Sequence, residues 1–203
     1  MPWPDRTHGQ CTAGPPGGGP ELPHRLRKAL EWWDAFLASS PTRTVPLAPV
    51  TRRRVILYTD AAGDGGVGLV ARTPTGVVWS ASVVPSRVAR RFHGRANAIV
   101  AHELAAATSA LAWLCSEEDT EVLVFLGNQN AETVLRNGHS KVEGLHEHAA
   151  QAWRVAAARR QLLVVARVSS KDNPADEPSR SGRRPEWLER AEHREWDWSS
   201  LLR

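Results

Sequence analysis

Three acids and one missing acid carry the chemical interest of this chain. Asp60 directly follows the apolar run VILYT, so a strand suited to burial ends on a charge. Glu103 sits in AHELAAA, among residues that look buried, and Asp176 sits in KDNPADEPSR, where an Asn-Pro turn lets it open a helical turn as an N-cap. An ionised carboxylate taken out of water is costly unless it is paired or binds a cation. Singly, each acid has a plain reading as a solvated face, a cap or a turn residue. Together they point to a cation-binding cluster, because an α/β chain order brings the end of the first strand beside the next long helix and the last loop. The stretch EVLVFLGNQNAETVL, residues 121 to 135, is the contrasting case. It reads as a buried strand, a polar turn and a short helix, a suitable place for one more acid, and it delivers Gly127 and Asn128 instead.

The elements that must position these residues follow from hydrophobic period and turn chemistry. RRVILYTD, GVGLVART and GVVWSASV are β-rich runs separated by AAGDG and PTG, which predicts three sequential antiparallel strands. NAIVAHELAAATSALAWLC has helical spacing, and TEVLVFL is a short apolar run suited to a buried parallel strand. A short helix around Ala131 to Leu135, a long helix in EGLHEHAAQAWRVAAARR and a last strand in QLLVVARVS complete a β-β-β-α-β-α-β order. The expected fold class is therefore α/β, with three antiparallel strands, two parallel additions and helices packed on the sheet. Four segments are expected: a Gly/Pro-rich disordered tail over 1–21, an amphipathic helix and linker over 22–52, the α/β domain over 53–182, and a C-terminal helical tail over 183–203. In the N-terminal helix the pair Trp32 and Trp33 is read as packing.

Composition narrows the partners. The formal charge is +4 and the pI about 9.7, a balance that favours acidic partners such as nucleic acid. Cys11 and Cys115 are the only cysteines, far apart, so neither a disulfide framework nor a cysteine zinc site is expected and a reducing compartment fits. No apolar run has the length of a membrane span and the polar start has no signal-peptide core, so an intracellular protein, cytoplasmic or nuclear, is expected.

At this point the motifs converge. YTDAAGDGGVG, the Glu in HELAAATSAL, FLGNQNAETVL and VSSKDNPADEPSR resemble, in order and approximate spacing, the four motifs of the ribonuclease H family. The NPADxxSR ending is similar to the ribonuclease H domains attached to reverse transcriptases of retroelements, and ALEWWDAFL followed by TRTVPL resembles the connection that joins polymerase to that domain. The resemblance spans about residues 25 to 182. It implies a ribonuclease H-like fold and hydrolysis of the RNA strand of RNA/DNA hybrids by two Mg²⁺ ions, with Mn²⁺ as a substitute, held roughly 4 Å apart by hard oxygen ligands. Asp60 would bridge both ions, Glu103 would hold the ion on the leaving-group side and Asp176 would complete the cluster. Asn173 would order its loop or touch the substrate backbone, and Asn128 is a second substrate-binding candidate. An RNA/DNA hybrid and a reverse-transcriptase polymerase domain are the implied partners.

The departure lies at Gly127. Aligning Asn128 and Ala131 with the family's DNxxA places Gly127 where the third carboxylate belongs. Three candidate substitutes are Asn128 itself, Asp64 in the turn after Asp60, and Glu132 on the short helix. Two readings stand: an impaired metal-dependent endoribonuclease, or a non-catalytic module that binds hybrid or packs against a polymerase. Other signals are weaker. His102 points roughly 100° away from Glu103 on the helix, and His139, His146 and His148 are read as surface residues. GDGGVG joins two strands, which argues against a nucleotide cofactor. Arg52, Arg53 and Arg54, with Arg87, Arg90, Arg91 and Arg95, are equally a phosphate track and a solvated face.

Overall fold

The structure is a computed structural model in which residues 22–38 and 51–201 are described. The expected tail over 1–21 and much of the expected linker lie outside the described residues. The chain divides into two compact units between Ala38 and Ser39. The first contributes one helix, α1 (His24–Ala38), none of whose residues is buried. Its Trp32 ring stacks on Phe36 at 5.1 Å and meets Trp33 edge-on at 5.1 Å, so the Trp pair packs within its own helix.

The second unit is built on six strands: β1 (Arg54–Ala61), β2 (Gly66–Thr73), β3 (Gly76–Val83), β4 (Glu121–Leu126), β5 (Leu162–Arg167) and β6 (Glu192–His193). Their order across the sheet is β5-β4-β1-β2-β3-β6. β1 to β3 form the expected antiparallel meander, and β4 and β5 add in parallel beside β1. This is the mixed α/β arrangement expected from the chain order, three antiparallel strands followed by two parallel additions, with a sixth strand added. Alternation sets the faces: Val55, Leu57 and Thr59 of β1 are buried, whereas Ile56 and Tyr58 are half-buried on the other side. Tyr58 pairs in register with Phe125 of β4, and their rings stack at 4.9 Å.

The helices of this unit are α2 (Ser86–Phe92), α3 (Ala98–Leu114), α4 (Gln129–Asn137), α5 (Glu143–Ala158) and α6 (Asp176–Ser181). Every residue of α3 from Val100 to Leu111 is buried, which an Ala-rich helix allows because it is apolar nearly all round. α3 lies between β1 and α5. Its C-terminal end is closed by Arg159, whose guanidinium donates to the carbonyls of Ala112 at 2.9 Å and Cys115 at 2.8 Å. Burial pushes the thiol of Cys115 up to about 12, in keeping with an inert core cysteine.

Two expectations need correction. Among the described residues the segment after Pro185 is not the expected helix: it runs through a turn, the two-residue β6 and a 3₁₀ turn at Ser199–Leu201. Tertiary packing overrides local helix preference there. The indole N–H of Trp196 donates to Ser109 Oγ at 2.9 Å and that of Trp198 to Ser82 Oγ at 3.0 Å, with the two rings stacked at 5.2 Å. β6 pairs with β3, which turns the expected five-stranded sheet into six. The segment that carries Arg87, Arg90 and Arg91 folds as α2, seated by the buried side chains of Val88 and Phe92.

Candidate metal centre

Strand register brings the first pieces together. Thr59 of β1 pairs with Leu126 of β4, so Asp60 and Gly127 stand side by side at the ends of neighbouring parallel strands. α3 crosses β1 and brings Glu103 to the same place. A Cβ built on Gly127 would lie 3.0 Å from Asp60 Oδ1, 3.5 Å from Asn173 Nδ2 and 3.8 Å from Glu103 Oε1. The position read as lacking its carboxylate therefore faces the other two acids. Gly127 is absent from the left-handed positions of the chain, so its backbone does not require glycine.

Asp60 is only 6% exposed and is held on both oxygens. Ser179 Oγ lies 2.6 Å from Oδ2, and Asn173 Nδ2 donates to Oδ1 at 3.4 Å and to the Thr59 carbonyl at 3.0 Å. The Asn173 oxygen accepts from the Ala175 N–H at 3.1 Å, so this side chain ties the last loop to the end of β1. Burial raises the Asp60 pKa and the Ser179 hydrogen bond opposes it; the Asp176 charge adds to the rise, and Arg180 and Asn173 subtract from it. Glu103 is pushed up to about 9, first by burial and then by the Asp60 charge, with a hydrogen bond to the Ala61 backbone opposing. Its Oε2 is buried and has no hydrogen-bond partner.

Asp176 occupies the first turn of α6 but not the expected cap, which falls to Ala175 with no side-chain bond. Its carboxylate is clasped by Arg180 one turn on, Nε to Oδ2 and Nη2 to Oδ1, both at 2.9 Å. α6 itself lies directly on β2. A Cβ on Gly68 would fall 2.3 Å from the Ala175 carbonyl oxygen and 2.4 Å from the Ser179 nitrogen, and one on Gly66 would fall 2.2 Å from the Ser179 carbonyl oxygen. Gly66 and Gly68 of GDGGVG are thus explained by backbone-to-backbone packing under the loop that carries Asn173, Asp176 and Ser179.

The three candidate substitutes are committed elsewhere. Asn128 caps α4, its Oδ1 accepting from the N–H groups of Asn130 at 2.9 Å and Ala131 at 3.1 Å. Asp64 is exposed and accepts the Gly66 N–H at 3.0 Å. Glu132 is buried and pairs with Arg136 at 3.0 Å. Among the described residues no group of three or more His, Cys, Asp or Glu side chains is arranged to hold a metal ion. The donor set at the centre is therefore Asp60 and Glu103, whose Oε1 approaches the strand end at Gly127 and whose Oε2 has no hydrogen-bond partner. That set fits one hard divalent ion; it does not fit two, since Gly127 offers no oxygen and Asp176 is engaged by Arg180.

The remaining candidates stand apart. His102 is buried with neither ring nitrogen hydrogen-bonded, and burial lowers its pKa. His139 is exposed, His146 is half-buried, and burial brings His148 down to about 4. Arg53 pairs with Glu117 and Arg54 with Glu121, which favours a solvated, paired face at the start of β1. Sequence reasoning gave no role to Ser179 or Arg180, although both stood in the quoted NPADEPSR and the i, i+4 spacing of Asp176 and Arg180 was a readable signal.

No family model matches the sequence, and no curated protein matches it. Among solved structures the chain is similar to the N-terminal RNase H domain of a Mycobacterium tuberculosis protein, fused to maltose binding protein, at 18% identity and TM-score 0.42, covering 63% of this chain and 91% of that one. It is also similar to RNase H1 from the halophilic archaeon Halobacterium salinarum, at 15% identity and TM-score 0.42, covering 64% and 94%. A third is LC11-RNase H1 in complex with an RNA/DNA hybrid, at 21% identity and TM-score 0.41, covering 61% and 91%. These are likenesses at low identity, and the chemistry of the site rests on its own residues.

Proposed function

We propose that this chain is a ribonuclease H-like domain of the retroelement reverse-transcriptase type, which engages RNA/DNA hybrids and hydrolyses the RNA strand at a metal-dependent centre impaired by Gly127. The carrying observation is the convergence of Asp60 and Glu103 on the strand end where Gly127 stands in place of an acid. A bound divalent ion supplies Lewis acidity and an activated water. The chain's own residues do the positioning: Ser179 and Asn173 fix the Asp60 carboxylate, and the glycine bed under α6 fixes Ser179. Small misplacement of reacting groups lowers rate by on the order of 10²-fold, which is the scale of impairment expected from the missing carboxylate. The net positive charge suits a phosphate backbone. α1, with Leu26, Leu30, Trp33 and Leu37 exposed, is consistent with packing against a polymerase domain.

A second reading has its own observation. Asn128, Asp64 and Glu132 are each bonded elsewhere, so none of these three replaces the acid, which favours a hybrid-binding or polymerase-packing module without turnover. Cleavage and binding of a labelled RNA/DNA hybrid in Mg²⁺ and in Mn²⁺, by the native chain, Gly127→Asp and Asp60→Asn, separates the two. Slow cutting by the native chain, faster cutting by Gly127→Asp and none by Asp60→Asn supports the impaired enzyme. Binding without cutting in all three supports the second reading. Neither binding nor cutting refutes the impaired enzyme and the hybrid-binding module alike, and leaves only the polymerase-packing form of the second reading.

A further inference from the structure

We infer that the centre holds one divalent cation, on Asp60 and Glu103, and not the pair that the family resemblance implies. The inference rests on the functional reading above only in treating these acids as a metal site, and its test reads metal, not cleavage. The positive observation is Glu103: the residue is 3% exposed, yet its Oε2 has no hydrogen-bond partner. Its other oxygen and Asp60 Oδ1 both approach the strand end at Gly127, 3.8 Å and 3.0 Å from a Cβ built there. Two hard oxygen donors therefore converge on one small volume, as Mg²⁺ or Mn²⁺ requires.

Charge decides the number. Repulsion between two dications is four-fold that between unit charges at the same distance, so an ion pair needs anionic ligands to offset it. Once both are ionised, Asp60 and Glu103 supply two negative charges, enough to balance one dication. The further acids that a second ion needs are withheld. Gly127 has no side chain, and both oxygens of Asp176 are held by the Arg180 guanidinium, whose positive charge cancels that of the carboxylate. Asp176 is then a partner of Arg180 and not a ligand.

Titration of the full chain with Mn²⁺, followed by the electron paramagnetic resonance signal of free Mn²⁺, tests this. The expected result is one ion per chain, with affinity falling roughly tenfold or more in Asp60→Asn and changing by less than about threefold in Asp176→Asn. The combined variant Gly127→Asp with Arg180→Ala is expected to take up a second ion. Two ions per native chain, no ion at all, or equal losses in Asp60→Asn and Asp176→Asn overturns the inference. The native stoichiometry decides by itself should a variant fail to fold. A chain that takes one Mn²⁺ but neither binds nor cuts hybrid refutes the functional reading and leaves this inference standing.

Discussion

Replacing Glu103 with Gln should make the metal-free protein more stable at neutral pH, and the structure sets the size of the effect. In the unfolded chain Glu103 ionises near 4.5, whereas in the fold it is pushed up to about 9 by burial and by the Asp60 charge. Between those values the folded state keeps a proton that the unfolded state has released. The folded state binds more protons, so stability falls as pH rises from about 4.5 to about 9, by at most about 1.4 kcal/mol per pH unit. At pH 7.5 the ceiling is about 4 kcal/mol relative to pH 4.5, three units lower. Gln keeps the shape and an oxygen for the Ala61 backbone but has no proton to lose. Near pH 4.5 the two proteins should differ by less than about 1 kcal/mol, and at pH 7.5 the variant should melt higher, by roughly 2–4 °C for each kcal/mol gained. Urea and thermal melts in EDTA from pH 5 to 8.5, followed by tryptophan fluorescence, measure this. Added Mg²⁺ should raise the melting temperature of the native chain and leave Glu103→Gln nearly unchanged, since only the ionised acid gains a cation. Parallel stability-versus-pH curves for native and variant refute the reasoning, because they would mean that Glu103 ionises normally in the fold.

Other expectations follow from single contacts. Ser179→Ala removes the largest influence that lowers the Asp60 pKa, so the Asp60 carboxyl resonance should titrate at higher pH than in the native chain, and stability should fall by about 1.5–3 kcal/mol; an unmoved midpoint counts against the bond. Gly68→Ala sets a Cβ 2.3 Å from the Ala175 carbonyl oxygen and should cost about 3 kcal/mol or more, whereas Gly63→Ala, with nothing within 4 Å, should leave the denaturation midpoint close to native. Trp196→Ala should cost about 3–5 kcal/mol in chemical denaturation and Trp196→Phe clearly less, about 1–2 kcal/mol, because the first removes the whole buried ring and the second its bond to Ser109 and only part of the ring.

Much of the fold was legible because its signals are local. The alternation of VILYTD, the turn residues of AAGDG and PTG and the apolar run VLVF each specify a strand without reference to the rest of the chain, and all three strands of the meander lie where the pattern puts them. Glu103 was conspicuous as an acid in an apolar helix, and Gly127 as a glycine where an acid was expected; register then sets Gly127 beside Asp60. What was not legible depends on contacts across long separations. EWLERAEHREWDWSS has helix-forming composition, and partners more than 80 residues earlier, Ser82 and Ser109 for its indoles and β3 for its backbone, pull it straight. Asp176 was a carboxylate in a motif until Arg180 was seen to clasp it. The glycines at 66 and 68 looked like loop residues, and their reason appears only when α6 lies on top of them.

The pairing of β6 with β3 bears on self-association. Without it, β3 would end the sheet with a row of bare N–H and C=O groups next to the exposed Val83, a template for strand addition by another copy. β6 covers this edge at Val78 and Trp79 alone, and Ser80 Oγ reinforces the closure by donating to the Arg194 carbonyl at 2.6 Å. Protection of the edge therefore depends on a short ribbon held down by two tryptophans, and loosening Trp196 or Trp198 should first appear as oligomers, at protein concentrations where the site at the ends of the central strands β1 and β4 is still intact.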